Sequence, residues 1–479
     1  MSPVHDLVIR GGEIADGSGA PRFEADVAVD GGRIVRVGDL AGARGREEVD
    51  ARGLLLAPGF IDAHTHDDRA LLSDGAMTPK VSQGVTTVIG GNCGISLAPR
   101  PPRIVPPLDL LDNDGQWFRH ARFGDYLQAL REQPAATNCA MLLGHITLRV
   151  LAVDDLERPA TDAEIARMRD HVDEAMQAGA IGVSTGLAYG PSRAASTEEV
   201  IDVCRPLRAH GGIFTTHLRD EGDTVMDCLE ETFRIGRELG VPVVISHHKV
   251  VGQANHGRSV ETLARIAEQM RQQAVCLDCY PYNASSTILE QELVDGAARV
   301  IVTWSKAMPR FSGRDLSDVA RELGCPVETA VERLQPAGAI YFRMHEDDVA
   351  RILQFDDTMI GSDGLPHDET PHPRLWGSFP RVLGHYARGM GLFPLEKAIH
   401  KMTGLTADRF GLADRGHIRE GAWADLVLLD AATVADRATF AQPVQPAMGI
   451  ARVWTNGVAV WRDGRTTGER PGQVLRRQP

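Results

Sequence analysis

No apolar run in the 479-residue chain approaches the roughly 20 residues that a membrane-spanning helix needs, so insertion as a helical membrane protein is not expected. Basic charge is also short: 51 Lys and Arg against 65 Asp and Glu give a net charge of −14. Nucleic-acid binding needs a cationic surface, so that class of partner is set aside. Cysteine is sparse and odd in number, seven in the whole chain, which argues against a disulfide framework and for reduced thiols. The first residues, Met1-Ser-Pro-Val-His-Asp-Leu-Val-Ile-Arg, lack a basic n-region followed by an apolar h-region, so the expected compartment is the cytoplasm.

What remains is an ordinary globular composition, 43% hydrophobic and 24% charged, at a length suited to one α/β barrel of about 250 residues with insertions and a smaller second domain. Short apolar runs alternate with helical stretches between residues 58 and 414, the pattern of parallel strands with crossover helices. Eight runs read as strands: Gly59–His64, Gly84–Ile89, Cys139–His145, Ile181–Thr185, Gly212–His217, Val241–His247, Val275–Tyr280 and Thr358–Asp363. Among the helices, Thr161 to Ala178 opens on Thr161-Asp-Ala-Glu164, a capping-box pattern. Residues 283–345 are too long for a βα loop and are read as an inserted subdomain. Residues 1–57 and 415–479 both carry short strands broken by turns; the first segment reads as an antiparallel unit, and the two ends together as one small β-sandwich. The expected fold is thus a (β/α)₈ TIM-like barrel with a terminal sandwich and a late insertion.

Six of the eight strands end in His, Cys or Asp: His64 and His66, Cys93, His145, His217, His247 and Asp363. Barrel active sites gather at the C-terminal ends of strands, where distant residues converge as a metal ion requires. His64-Thr-His66 sets two imidazoles two residues apart on one extended segment, facing the same way. His247 and His248 are adjacent and point oppositely on a strand; His247 is taken as the ligand and His248 as structural. His217 reads either as a ligand or as a buried histidine bonded to backbone. Cys93, in Gly90-Gly-Asn-Cys-Gly, has three readings: inert thiol, nucleophile or thiolate ligand. The surrounding histidines favour ligation, since zinc takes Cys and His readily. Cys276-x-x-Cys279 lacks a second pair and is weak evidence for zinc. Asp363 either caps its strand end or exchanges protons beside a metal-held water.

Together these stretches resemble the amidohydrolase superfamily and, within it, the N-acyl-D-amino-acid deacylase (D-aminoacylase) family, over nearly the whole chain. The stretches that carry the resemblance include Gly59-Phe-Ile-Asp-Ala-His-Thr-His-Asp-Asp, Gly91-Asn-Cys-Gly-Ile-Ser, Ile245-Ser-His-His-Lys249, Gly361-Ser-Asp-Gly-Leu-Pro-His-Asp and Pro371-His-Pro-Arg-Leu-Trp-Gly377. Many amidohydrolases carry a bridging carboxylated lysine on strand four, yet no lysine occurs between Lys80 and Lys249. The resemblance implies that Cys93 bridges instead. Cys93, His217 and His247 would hold a tight zinc, and His64, His66 and Asp363 with Cys93 a weaker or partly filled second site. It implies Asp363 as general base and then acid, and Lys249, Tyr280, Ser286 and Arg374 as the anchor of a substrate carboxylate. The implied reaction is zinc-dependent hydrolysis of N-acyl-D-amino acids, with zinc polarising the amide carbonyl and activating water. The small-molecule substrate would be an N-acyl amino acid; Leu187, Tyr189 and residues 283–345 would shape its pocket. Acidic N-acyl-D-glutamate or N-acyl-D-aspartate substrates, a cyclic amide as in hydantoinase or dihydroorotase, a deaminase reaction, and a non-catalytic scaffold are the competing readings.

Overall fold

Continuous apolar runs bounded by glycine form strands that are buried on both faces, as a parallel sheet covered by helices requires. The computed structural model describes residues 4–478. Eight parallel strands follow one another in chain order: β1 (Phe60–Asp62), β2 (Val85–Gly90), β3 (Asn138–Gly144), β4 (Gly182–Gly186), β5 (Ile213–His217), β6 (Val243–Ile245), β7 (Val275–Cys279) and β8 (Thr358–Ile360). All eight expected runs are strands. At the seam between β8 and β1 the barrel is joined by backbone bonds from Ala63 N to Ile360 O (3.1 Å) and from Asp363 N to His64 O (2.8 Å). The expected helix runs Asp162–Ala178, and its capping box is formed: Thr161 N donates to Glu164 Oε2 at 2.7 Å, and Glu164 N donates to Thr161 Oγ1.

The two ends of the chain build one nine-stranded sheet. Leu55–Pro58 pairs antiparallel with Leu426–Leu429, so the N-terminal segment and the C-terminal segment share a ladder. The first segment is not purely antiparallel, however. Val4–Ile14 pairs antiparallel with Phe23–Asp30 but parallel with both Arg44–Asp50 and Leu55–Pro58. Turn residues reveal hairpins; a strand that returns after a longer connection leaves no local mark of its direction. The sheet curls so that Ile34 exchanges backbone bonds with Gly421 and Ala422, both 2.8 Å, around a core of Leu7, Val27, Leu56, Leu426 and Trp454. The protein is therefore a (β/α)₈ barrel accompanied by a sandwich-like sheet from both termini.

Between β7 and β8 lies a three-stranded antiparallel sheet, Ala284–Ile288, Ala337–Phe342 and Val300–Ser305. Helices Leu316–Leu323 and Val327–Leu334 pack on it around Phe311, Val319 and Leu334. No helix among the described residues is long and apolar enough to cross a membrane.

Candidate metal centre

The strand ends of the barrel bring two groups of ligand-type side chains together: His64, His66, Cys93 and Asp363, and Cys93, His217 and His247. Within each group the ligand atoms lie within 4.8 Å of one another, and Cys93 belongs to both. Its Sγ is 3.3 Å from His64 Nε2 and 3.2 Å from His247 Nε2. His66 Nε2 stands 3.1 Å from Asp363 Oδ1. A thiolate, imidazoles and one carboxylate form a donor set that suits zinc.

The backbone at this centre is strained. Cys93, His247 and Asp363 occupy the left-handed region, with φ of 53°, 35° and 50°. Non-glycine residues rarely adopt it, and they do so where the surroundings over-determine the turn. At Cys93 the surroundings come from β4: Ser184 Oγ accepts from Gly94 N at 2.9 Å and donates to Gly91 O. Strand four, which carries no lysine, thus braces the cysteine loop with a serine. Gly186 is needed beside it, because any Cβ there would strike the Cys93 carbonyl oxygen. Gly361 is needed likewise, since its Cβ would fall 2.6 Å from His64 Cβ.

His247 lies two residues past β6, so the opposed directions of His247 and His248 arise from a left-handed turn and not from strand alternation. His248 faces away and its Nε2 pairs with Thr262 Oγ1 at 2.9 Å. His145 is not part of the centre. It begins the helix His145–Ala152 and lies against Glu199 (3.6 Å) because the β3 backbone turns directly into that helix. Cys276 and Cys279 sit on β7 in separate hydrophobic clusters, as one face change along a strand requires.

Electrostatics bind the centre together. Burial opposes ionisation of Cys93, but His64 and His247 overcome it and hold the thiol well below its usual range. Burial works against protonation of His66, yet the Asp363 hydrogen bond raises it to about 9. Burial would push Asp363 up; the Arg374 guanidinium, 2.8 Å from Oδ2, outweighs it and keeps the carboxyl well below the carboxylate range. His217 retains 13% side-chain exposure and is shifted down by burial, which favours the neutral ring.

Two carboxylates that the sequence did not single out lie behind the histidines. Glu221 Oε1 is 3.2 Å from His247 Nδ1 and 2.7 Å from Lys249 Nζ. Asp278 Oδ1 accepts the His247 backbone N–H at 2.9 Å, and Oδ2 lies 3.5 Å from His64 Nδ1. Carboxylates behind ligand histidines set ring orientation and tautomer. An acid inside the apolar run Val275-Cys-Leu-Asp-Cys was the available signal for Asp278; Glu221 offered only its place four residues after His217.

Above the centre opens a cavity of about 300 Å³ whose walls include Tyr189, Lys249, Tyr280, Ser286, Leu293 and Arg343. Residues 284–342 supply several of these walls, while Leu187 is buried outside it. Arg374 stands behind the cavity, 1% exposed, with Cζ 4.6 Å from the Tyr280 ring centre and Nη2 donating to Ser286 O at 3.0 Å. Ser286 Oγ and Arg374 Nε have no hydrogen-bond partner among the described residues.

The chain is 60% identical over 476 residues to a D-aminoacylase of Alcaligenes xylosoxydans xylosoxydans, covering 98% of both chains. An N-acyl-D-aspartate deacylase of the same organism is 56% identical, covering 98% of this chain and 95% of its own. Among solved structures, a D-aminoacylase described by its binuclear metal centre superposes with a TM-score of 0.97 at 58% identity, covering 99% of this chain and all of its own. The N-acyl-D-glutamate deacylase of Bordetella bronchiseptica, complexed with zinc and a phosphonate inhibitor, gives 0.96 at 46% identity, covering 99% and 100%. Residues 47–467 match the amidohydrolase family. With its ligand groups at the strand ends and this likeness along its length, the chain belongs to the amidohydrolase family.

Proposed function

We propose that the protein is a zinc-dependent deacylase that hydrolyses N-acyl-D-amino acids to a D-amino acid and a carboxylate. The observation that carries this reading is the sharing of Cys93 between two ligand groups at the floor of a cavity whose mixed polar walls include Lys249, Arg343, Tyr280 and Ser286. Cys93, His217 and His247 would hold a tight zinc; His64, His66 and Asp363 would complete, with Cys93, a weaker or partly filled second site. Zinc, when bound, supplies the Lewis acidity that polarises an amide carbonyl and brings the pKa of water down to about 7.

The chain's own residues supply the rest. Asp363 stays ionised beside Arg374, so its Oδ1 can take a proton from the attacking water and return it to the departing amine nitrogen. Amide nitrogen leaves poorly unless protonated, and this proton delivery makes cleavage possible. Lys249, Tyr280, Ser286 and Arg374 would anchor the substrate carboxylate; Ser286 Oγ and Arg374 Nε are buried donors still lacking an acceptor. A buried carboxylate needs such charge-assisted bonds. The relatives' activities on N-acyl-D-amino acids support the substrate class and the D configuration.

A second reading, preference for N-acyl-D-aspartate or N-acyl-D-glutamate, is favoured by Arg343, which lines the cavity with Nε unpartnered. Initial rates on N-acetyl-D-leucine, N-acetyl-D-aspartate, N-acetyl-D-glutamate, their L-enantiomers, hydantoin and dihydroorotate separate these. The D-leucine derivative is expected to lead. Acidic D-substrates ahead would install the second reading, and ring opening alone would refute both.

As domains we take 1–57 with 415–479 for the β-sandwich, and 58–414 for the barrel carrying the insertion at 283–345. The unbridged cysteines suit the reducing cytoplasm.

A further inference from the structure

The barrel seam between β8 and β1 joins the two strands with few backbone bonds, yet it must hold His64 and His66 of one side against Asp363 of the other. Beneath it lies Lys80, 1% exposed, from the short helix Thr78–Val81. Its ammonium has three neighbours: Asp62 Oδ2 at 2.8 Å, Ser362 Oγ at 2.8 Å and Asp67 Oδ2 at 3.1 Å. Two of its donors make hydrogen bonds, to Asp62 and Ser362, and Asp67 completes the charge environment at ion-pair distance.

The other oxygen of Asp62 extends the link. Oδ1 accepts Ser362 N at 2.7 Å and His64 N at 3.3 Å. Ser362 Oγ, in turn, accepts Gly364 N at 3.2 Å, on the far side of Asp363. Lys80 therefore touches no candidate ligand but is tied to the backbone of His64 through Asp62, to both neighbours of Asp363 through Ser362, and to Asp67, the residue after His66. A buried charge is costly unless paired, and the Asp62 and Ser362 bonds that pair this one span the seam.

We propose that Lys80 is a positioning residue for the metal centre: through Asp62 and Ser362 it sets the separation between the β1 histidines and Asp363, and hence the affinity of the His64, His66, Cys93 and Asp363 group for zinc. The other group shares Cys93, but its His217 and His247 come from β5 and the turn after β6 and are not hydrogen-bonded to Lys80, Asp62 or Ser362. The inference concerns the zinc centre of the proposed function, and zinc titration reads it whether or not N-acyl-D-amino acids prove to be substrates.

The test is zinc binding to the full chain by chelator competition, with the class lost in Asp363→Ala assigned to the second group. Lys80→Met is made alone and with Asp67→Asn, which restores the charge balance. The second class is expected to weaken by about 10- to 100-fold, the range for residues that orient ligands, while the first class stays within about threefold. On N-acetyl-D-leucine kcat should fall with KM little changed, because the carboxylate anchor is untouched. Both classes unchanged, or both weakened alike in the charge-balanced variant, would overturn the proposal. Should both lysine variants fail to fold, Ser362→Ala, which removes one hydroxyl and no charge, must show the same selective weakening; equal effects on the two classes refute it.

Discussion

Cys93, His247 and Asp363 each hold a side chain at the centre by means of a left-handed backbone that costs on the order of 1–3 kcal/mol. That cost is tolerable only where neighbours leave no alternative, and Ser184, Gly186 and Gly361 supply that constraint. Distinct roles follow for the proposed ligands. Asp363→Ala should keep about one zinc per chain in elemental analysis while turnover falls by at least about 10²- to 10⁴-fold, the contribution of a positioned acid–base group. Near-normal turnover would remove it as the proton carrier. Cys93→Ala strips both groups of their shared sulfur and should lose zinc altogether; a loaded, active variant would end the bridging role. Arg374→Ala should raise KM on N-acetyl-D-leucine steeply, although Arg374 also supports Asp363, so kcat should drop as well. An unchanged KM would remove Arg374 from the anchor.

At the scale of elements, helix Thr197–Cys204 is held to helix His145–Ala152 by a buried pair. Glu199 meets Arg149 directly, accepts Ala160 N at 2.8 Å, and lies beside His145. Arg149 is fully buried and its guanidinium also donates to Pro191 O and Arg158 O. Burial pushes Glu199 up, but His145 and Arg149 prevail and bring it to about 2. A carboxyl depressed in the folded state stabilises above its unfolded pKa, about 4.3, and that stability is lost as pH falls toward about 2. Glu199→Gln should therefore unfold at about 3–5 kcal/mol less stability near neutral pH and flatten the acid limb between about pH 4.5 and 2. Denaturant melts across pH check this; parallel curves for both proteins would contradict it.

Elements were also where the sequence spoke most clearly. Apolar runs ending in His64, Cys93, His217 and Asp363 are legible because a buried parallel strand must be apolar throughout, so a polar residue at its end stands out. The Thr161 cap was legible because its partner lies three residues away. Glu221 and Asp278 were not, since their approach to His247 depends on where separate strands stand in the barrel. The parallel ladders of Val4–Ile14 escaped for the same reason.

On the whole-molecule scale the barrel and the terminal sheet are locked by one buried network. Arg415 pairs with Asp425 and donates to Asn456 Oδ1 (3.0 Å) and Gln473 Oε1 (3.2 Å). Asp425 also accepts from Asn138 of β3 at 3.2 Å. Both parts should unfold in one transition, and Asp425→Ala, which leaves Arg415 buried without its counter-charge, should lower stability by about 3–5 kcal/mol. Calorimetry with two resolved transitions in the parent protein would contradict that coupling. All these parts assemble around the proposed zinc centre, and removing and restoring the metal probes them together. Release of leucine from N-acetyl-D-leucine and N-acetyl-L-leucine is followed before chelation, after zinc is stripped, and after zinc is restored. Turnover of the D-enantiomer is expected in large excess, lost on stripping and regained with zinc; metal-independent cleavage, or a preference for the L-enantiomer, would overturn the reading as a zinc-dependent D-deacylase.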